Sequence, residues 1–186
     1  MEARKLWRTI LVASIVGLGT GFAPGCGDDG GTEMVPCVVL QGAVTPAPST
    51  VVAEDGGSDC NVLRVNLIVT DVDDVLAANM VVTFPQGLVS FNSVSEVGSI
   101  LTDGSAVSVQ ASVPNPGQLV VGITRLNNTG KNVAGGAQLL RLTFVRVGTQ
   151  GSGTLGVSGT LLDSSTPPQP IPDVQFEDAT VAIVQS

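Results

Sequence analysis

Leu76-Ala77-Ala78-Asn79-Met80-Val81-Val82-Thr83-Phe84-Pro85-Gln86-Gly87-Leu88-Val89-Ser90-Phe91 is the stretch on which the fold turns. Ala78, Met80, Val82 and Phe84 share one parity, and Asn79, Val81 and Thr83 the other. A strand sends successive side chains to opposite faces, so this is the period of a half-buried sheet, not of a helix. Pro85-Gln86-Gly87 then interrupts the run with turn chemistry before apolar residues resume.

The same alternation recurs on either side. Leu63, Val65, Leu67 and Val69 oppose Arg64, Asn66 and Thr70. Val107, Val109 and Ala111 oppose Ser108, Gln110 and Ser112. Leu140, Leu142 and Phe144 oppose Arg141 and Thr143. In each case the apolar set is the expected core face. Turn clusters fall at about ten-residue spacing, among them Asp55-Gly56-Gly57, Asp103-Gly104, Pro114-Asn115-Pro116-Gly117, Asn127-Asn128-Thr129-Gly130 and Pro167-Pro168. They delimit nine expected strands: 37–44, 60–70, 76–84, 88–95, 105–112, 118–125, 138–147, 153–162 and 174–184. No useful stretch of helical period follows Cys26. With 23 glycines, 11 prolines and 3% aromatics, the expectation is an all-β fold, a nine-stranded antiparallel jelly-roll β-sandwich.

The N-terminus has a different character. Arg4, Lys5 and Arg8 precede an apolar run from Ile10 to Phe22, and Ala23-Pro24-Gly25 puts small residues before Cys26. Residues 1–25 are therefore expected to be a signal peptide. The junction at Cys26, followed by Gly27-Asp28-Asp29-Gly30-Gly31, resembles a bacterial lipoprotein signal, in which the cysteine becomes the lipidated first residue. Residues 26–36 then form a flexible tether and 37–186 the domain. Export, with membrane contact through the lipid anchor alone, is the expectation; plain secretion is the alternative. Cys37 and Cys60 remain as an even pair in an oxidising compartment, and a disulfide between them is expected.

Three segments resemble the cohesin domain, which shares its fold with family 2 and family 3 carbohydrate-binding modules. The first is the 75–91 strand, turn and strand, followed by Val97-Gly98-Ser99-Ile100-Leu101. The second is Leu119-Val120-Val121-Gly122-Ile123 and, after a polar loop, Gly136-Ala137-Gln138-Leu139-Leu140-Arg141-Leu142-Thr143-Phe144-Val145. The third is Phe176-Glu177-Asp178-Ala179-Thr180-Val181-Ala182-Ile183. The resemblance covers about 60–186. It implies a protein-binding role, since cohesins grip dockerin modules through one sheet face. The residues it assigns to that face are Asn79, Val81, Thr83, Ser108, Gln110, Val120, Gly122 and Thr124, with Arg125 and Asn127 at the strand end.

Composition narrows the chemistry. From Cys26 onward there are five basic and fifteen acidic residues, a net charge of −10. No basic patch is present to neutralise phosphates, which argues against nucleic acid. The chain has no histidine, so Ser-His-Asp and Cys-His catalysis and imidazole metal ligation are excluded. No enzymatic activity and no cofactor are expected. Asp71, Asp73 and Asp74 are the densest acid cluster; a calcium site is one reading and a solvated inter-strand loop the other, which the lack of an EF-hand pattern favours. Polysaccharide is the alternative ligand, but the only tryptophan is Trp7 and there is no tyrosine, so the usual stacking platform is missing. A structural or adhesive envelope domain is the third reading.

Overall fold

The computed structural model describes residues 34–42 and 46–186. The expected signal peptide, Cys26 and most of the expected tether lie outside the described residues.

Two sheets face each other across one core. The six-stranded sheet contains β1 (Pro36–Gln41), β11 (Ala179–Gln185), β9 (Gly151–Leu162), β4 (Ala77–Thr83), β7 (Gln118–Arg125) and β6 (Val107–Asn115), in that spatial order. The five-stranded sheet runs β10 (Gln175–Phe176), β2 (Thr50–Asp55), β3 (Val62–Val75), β8 (Lys131–Arg146) and β5 (Val89–Ser95). Pairing is antiparallel except for the short β10–β2 pair, which is parallel. Among the described residues the only helical element is a 3₁₀ turn, Ile100–Thr102. The β-sandwich is as expected, with eleven strands in place of nine.

The alternation fixes the core. Leu63, Val65, Leu67, Val69, Ala78, Val82, Leu140, Leu142 and Phe144 are fully buried, and Met80 nearly so. Phe144 of β8 lies between Phe84, at the end of β4, and Phe91 of β5. Its ring-centroid distances are 5.2 Å and 5.8 Å, in the range where tilted aromatic pairs attract. The Phe84 contact ties one sheet to the other, and the Phe91 contact joins neighbouring strands of the same sheet.

Three differences from the expected pattern have physical causes. Strand β2 falls outside the nine expected segments. Thr50, Val51, Val52 and Ala53 are all buried, and a strand covered on both faces shows no alternation. Strand β3 continues to Val75 instead of ending at Thr70. Its buried series steps from Val69 to Val72 to Val75 because register shifts occur there, and Asp71 and Asp74 take positive φ of 49° and 58°. These are bulges, which bend a strand and reset its pleat. Strand β6 is an edge strand, so its inward side is poorly covered. Val107 and Val109 are only partly buried and Ala111 is exposed. The closing segment divides into β10 and β11.

Cys37 and Cys60 form the expected disulfide, 23 residues apart. Cys37 belongs to β1 of the six-stranded sheet, and Cys60 lies just before β3 of the other. The bridge therefore staples the two sheets. Closing a loop of this length stabilises by about 3 kcal/mol in the chain-entropy treatment. The double replacement Cys37→Ser/Cys60→Ser should lower the melting temperature by about 10 °C in calorimetry. An unchanged melting temperature would mean that β1 is held by its ladder with β11 alone.

Candidate functional site

The outward face of β9, β4, β7 and β6 is built by register. Asn79 pairs with Gly122 on one side and Thr160 on the other, and Gly122 pairs onward with Gln110. The next row places Ser158, Val81, Val120 and Ser112 side by side. Thr83 pairs with Gln118, and Thr124 with both Ala77 and Ser108. Directly opposed residues in antiparallel strands lie close enough for their side chains to touch. The face thus has a small apolar centre, Val81 with Val120, inside a frame of hydroxyls and amides. Asn79, Thr83 and Gln110 are exposed, Val120 is 39% exposed, and Val81, Ser108 and Thr124 are half-buried.

Gly122 shapes this surface. A β-carbon there would approach Asn79 Oδ1 to 2.9 Å, so the Asn79 side chain leans over the bare backbone. Two shallow depressions result, of about 200 and about 220 Å³. Asn79, Gln110 and Gly122 line both. Ser108 and Thr124 complete the first, and Ser112 and Val120 the second.

The strands of this face present no outward charge; the exposed Asp178, just before β11, sets its carboxylate beside Gly156 of β9 at the margin. Among the described residues, the six strands of this sheet carry one charged side chain, Arg125. Arg125 is not on the surface where the sequence reading put it. It is 5% exposed. Its Nη1 donates to the carbonyls of Leu101 (2.7 Å) and Asp103 (3.0 Å), and its Nε to Asn127 Oδ1 (3.3 Å). The even-numbered residues of β7 face outward and Arg125 has the opposite parity, which turns it inward to hold the 3₁₀ turn. Asn127 is exposed, but its side chain also accepts from Thr129 N–H and so closes the turn after β7. Neither residue is free as the outward pair at the rim that the sequence suggested. The sequence reading also missed Ser158 and Thr160 of β9, although Leu155, Val157 and Leu161 are buried and alternate with them.

The three aspartates do not converge. Asp71 Oδ1 accepts from Gly135 N–H (2.6 Å), and Asp74 accepts from the hydroxyl (2.7 Å) and amide (3.1 Å) of Ser164. Asp73 is exposed. They belong to the bulged end of β3 instead of an open loop, and the first two satisfy donors of Gly135 in β8 and of Ser164 after β9. Gly130 packs so closely here that a β-carbon would reach Asp74 Oδ1 at 2.0 Å. Among the described residues no group of three acidic, cysteine or histidine side chains is placed to hold a metal ion.

Beyond the rim, Lys131 Nζ pairs with Asp103. That hydrogen bond, then the Lys131 charge, holds the Asp103 carboxyl below its ordinary value of 3.8. A carboxyl lowered by folding contributes stability above its unfolded pKa and loses it as pH falls through the folded value. In Lys131→Ala, NMR titration should find Asp103 moved back up towards 3.8. A curve identical to wild type would mean that the pair is not formed in solution.

By sequence, the chain matches no protein-family model and no curated protein. By structure it is similar to cohesin domains. A type II cohesin domain from the cellulosome of Acetivibrio cellulolyticus matches with a TM-score of 0.55 and 8% identity, over 70% of this chain and 92% of that one. CaCohA2 from Clostridium acetobutylicum matches with a TM-score of 0.51 and 14% identity, over 70% and 87%. A chain from a complex of a CaDoc0917 variant with CaCohA2 matches at 0.51 and 17%, over 63% and 86%. At these identities the likeness establishes a cohesin-type fold.

Proposed function

We propose that this chain is an exported, non-catalytic binding module, tethered to the cell envelope through a lipidated Cys26, that captures a dockerin-like protein on the outward face of β9, β4, β7 and β6. The observation that carries the reading is that the four strands of that face present no outward charged side chain, in a chain whose charge from Cys26 onward is −10. Desolvating a charged surface is expensive, and interface cores are accordingly depleted in charge.

Binding follows from the geometry. A paired sheet is rigid, so little backbone entropy is lost on docking. Val81 and Val120 offer apolar area at the centre. Asn79, Thr83, Gln110 and Thr124 offer donors and acceptors around it, and the depressions beside Gly122 accept protruding side chains. Aromatic side chains, the usual platform for a sugar ring, are not among the residues of this face. A protein occupant is further supported by the complex in which one similar structure occurs. Export is supported by the Cys37–Cys60 disulfide, a bond that persists in oxidising compartments.

Two experiments test this. In calorimetric titration against isolated dockerin modules, Val81→Asp should abolish binding and shift the melting temperature by only a few degrees, because Val81 points away from the core. Undiminished binding would place the contact surface elsewhere; retention on insoluble polysaccharide without dockerin binding would favour the sugar ligand. For the anchor, cell fractionation should find wild type in the membrane fraction and Cys26→Ser in the soluble fraction. Soluble protein in both cases would eliminate the lipid.

A further inference from the structure

Strand β6 ends the six-stranded sheet, and no described residue pairs with its outer side. Natural edge strands are usually protected by charge, proline or a bulge. Residues 107–112 of β6 have none of these: they read Val-Ser-Val-Gln-Ala-Ser, and the register shift, with Val113 and Pro114 in it, begins only after Ser112. The apolar side is also under-covered, with Ala111 exposed and Val113 47% exposed beside a groove lined by Phe84 and Phe91.

The backbone has a defined outward set. Leu126 N–H donates to Ala106 O, so Ala106 sits in a hydrogen-bonded pair with β7. Alternation then directs the amides and carbonyls of Ser108, Gln110 and Ser112 towards β7 and those of Val107, Val109 and Ala111 towards solvent.

We infer that this edge pairs antiparallel with the same edge of a second copy of the chain, about a two-fold axis at Gln110. The stretch is close to a palindrome about that residue. Antiparallel pairing centred there sets Val109 against Ala111 of the other copy and Ser108 against Ser112. Every apolar residue meets an apolar residue and every hydroxyl a hydroxyl. Gln110 meets its own counterpart at a position whose backbone groups are already used by β7. The solvent-directed groups of Val109 and Ala111 therefore fall into register as a hydrogen-bonded pair. The phase of the hydrogen bonds and the symmetry of the sequence select the same centre.

Electrostatics also favour a second copy. Two copies that each carry −10 from Cys26 onward repel, and least so through a strand without charge. An isologous contact of this kind uses both free edges and closes as a dimer. The two-fold axis stands perpendicular to the joined sheet, so both copies turn their outward faces to the same side. Two partner faces then lie side by side, and a partner with tandem modules would gain from effective concentration.

The test uses the full chain carrying Cys26→Ser, so that an added cysteine is the single free thiol. Sedimentation velocity should show a dimer at about 0.1 mM that dissociates on dilution. Gln110→Cys should form a disulfide-linked dimer on non-reducing electrophoresis, since opposed residues at such a position lie within disulfide reach. Ser108→Cys should not, because the two copies of residue 108 stand roughly 14 Å apart along the strands. Val109→Pro removes an N–H that β7 does not use, and Gln110→Lys opposes like charges. Each should weaken the dimer about tenfold or more at unchanged melting temperature. A wild-type monomer with no Gln110→Cys cross-link overturns the inference. So does cross-linking as efficient from Ser108→Cys, or a dimer indifferent to Val109→Pro.

Discussion

Phe144 packed between Phe84 and Phe91 is the contact on which the sandwich depends. It brings β8 of one sheet onto the end of β4 in the other, at 5.2 Å, and joins β8 to its neighbour β5 at 5.8 Å. Once that layer is set, the pleat does the rest. Leu142 and Leu140 follow inward along β8, Leu63, Leu67 and Val69 along β3, and Met80 and Val82 along β4. A one-residue slip in any of these strands would turn its apolar row into water. Register is therefore fixed by burial, and the outward residues are placed as firmly as the inward ones.

The two outward faces have been given different tasks. Charge is concentrated in the five-stranded sheet: Glu54 and Asp55 on β2, Arg64 and the three aspartates on β3, Lys131, Arg141 and Arg146 on β8. The six-stranded sheet keeps only Arg125, buried against two carbonyls. Solubility is thus served by one side of the molecule, and the other is left inexpensive to desolvate. The acid cluster belongs to the same division. Asp71 and Asp74 stitch the bulged end of β3 to Gly135 and Ser164 rather than standing open to a cation.

What was legible in the sequence follows from which signal each residue carries. Alternation announced β3, β4 and β8, because each has one buried and one open face. It was silent for β2, which is covered on both faces, and it misjudged β6, whose apolar parity faces a margin that the other sheet barely covers. Counting stopped β3 at its first aspartate, since acids usually mark loops, whereas here a positive φ turns them into bulges. The resemblance placed Arg125 at the end of the outward set. Its parity already contradicts that, and the carbonyls of residues 101 and 103 that receive it are distant in sequence. Ser158 and Thr160 follow from the same rule that gives Asn79 and Val81.

The central claim is that the outward face of β9, β4, β7 and β6 is where a partner docks. Amide hydrogen exchange, compared between the free protein and its complex with a bound dockerin module, addresses it directly. Added protection concentrated in β4, β7 and β9, with β3 and β8 unchanged, is the result this account predicts. Protection confined to the five-stranded sheet or to the loops around Asp103 and Lys131 would contradict it.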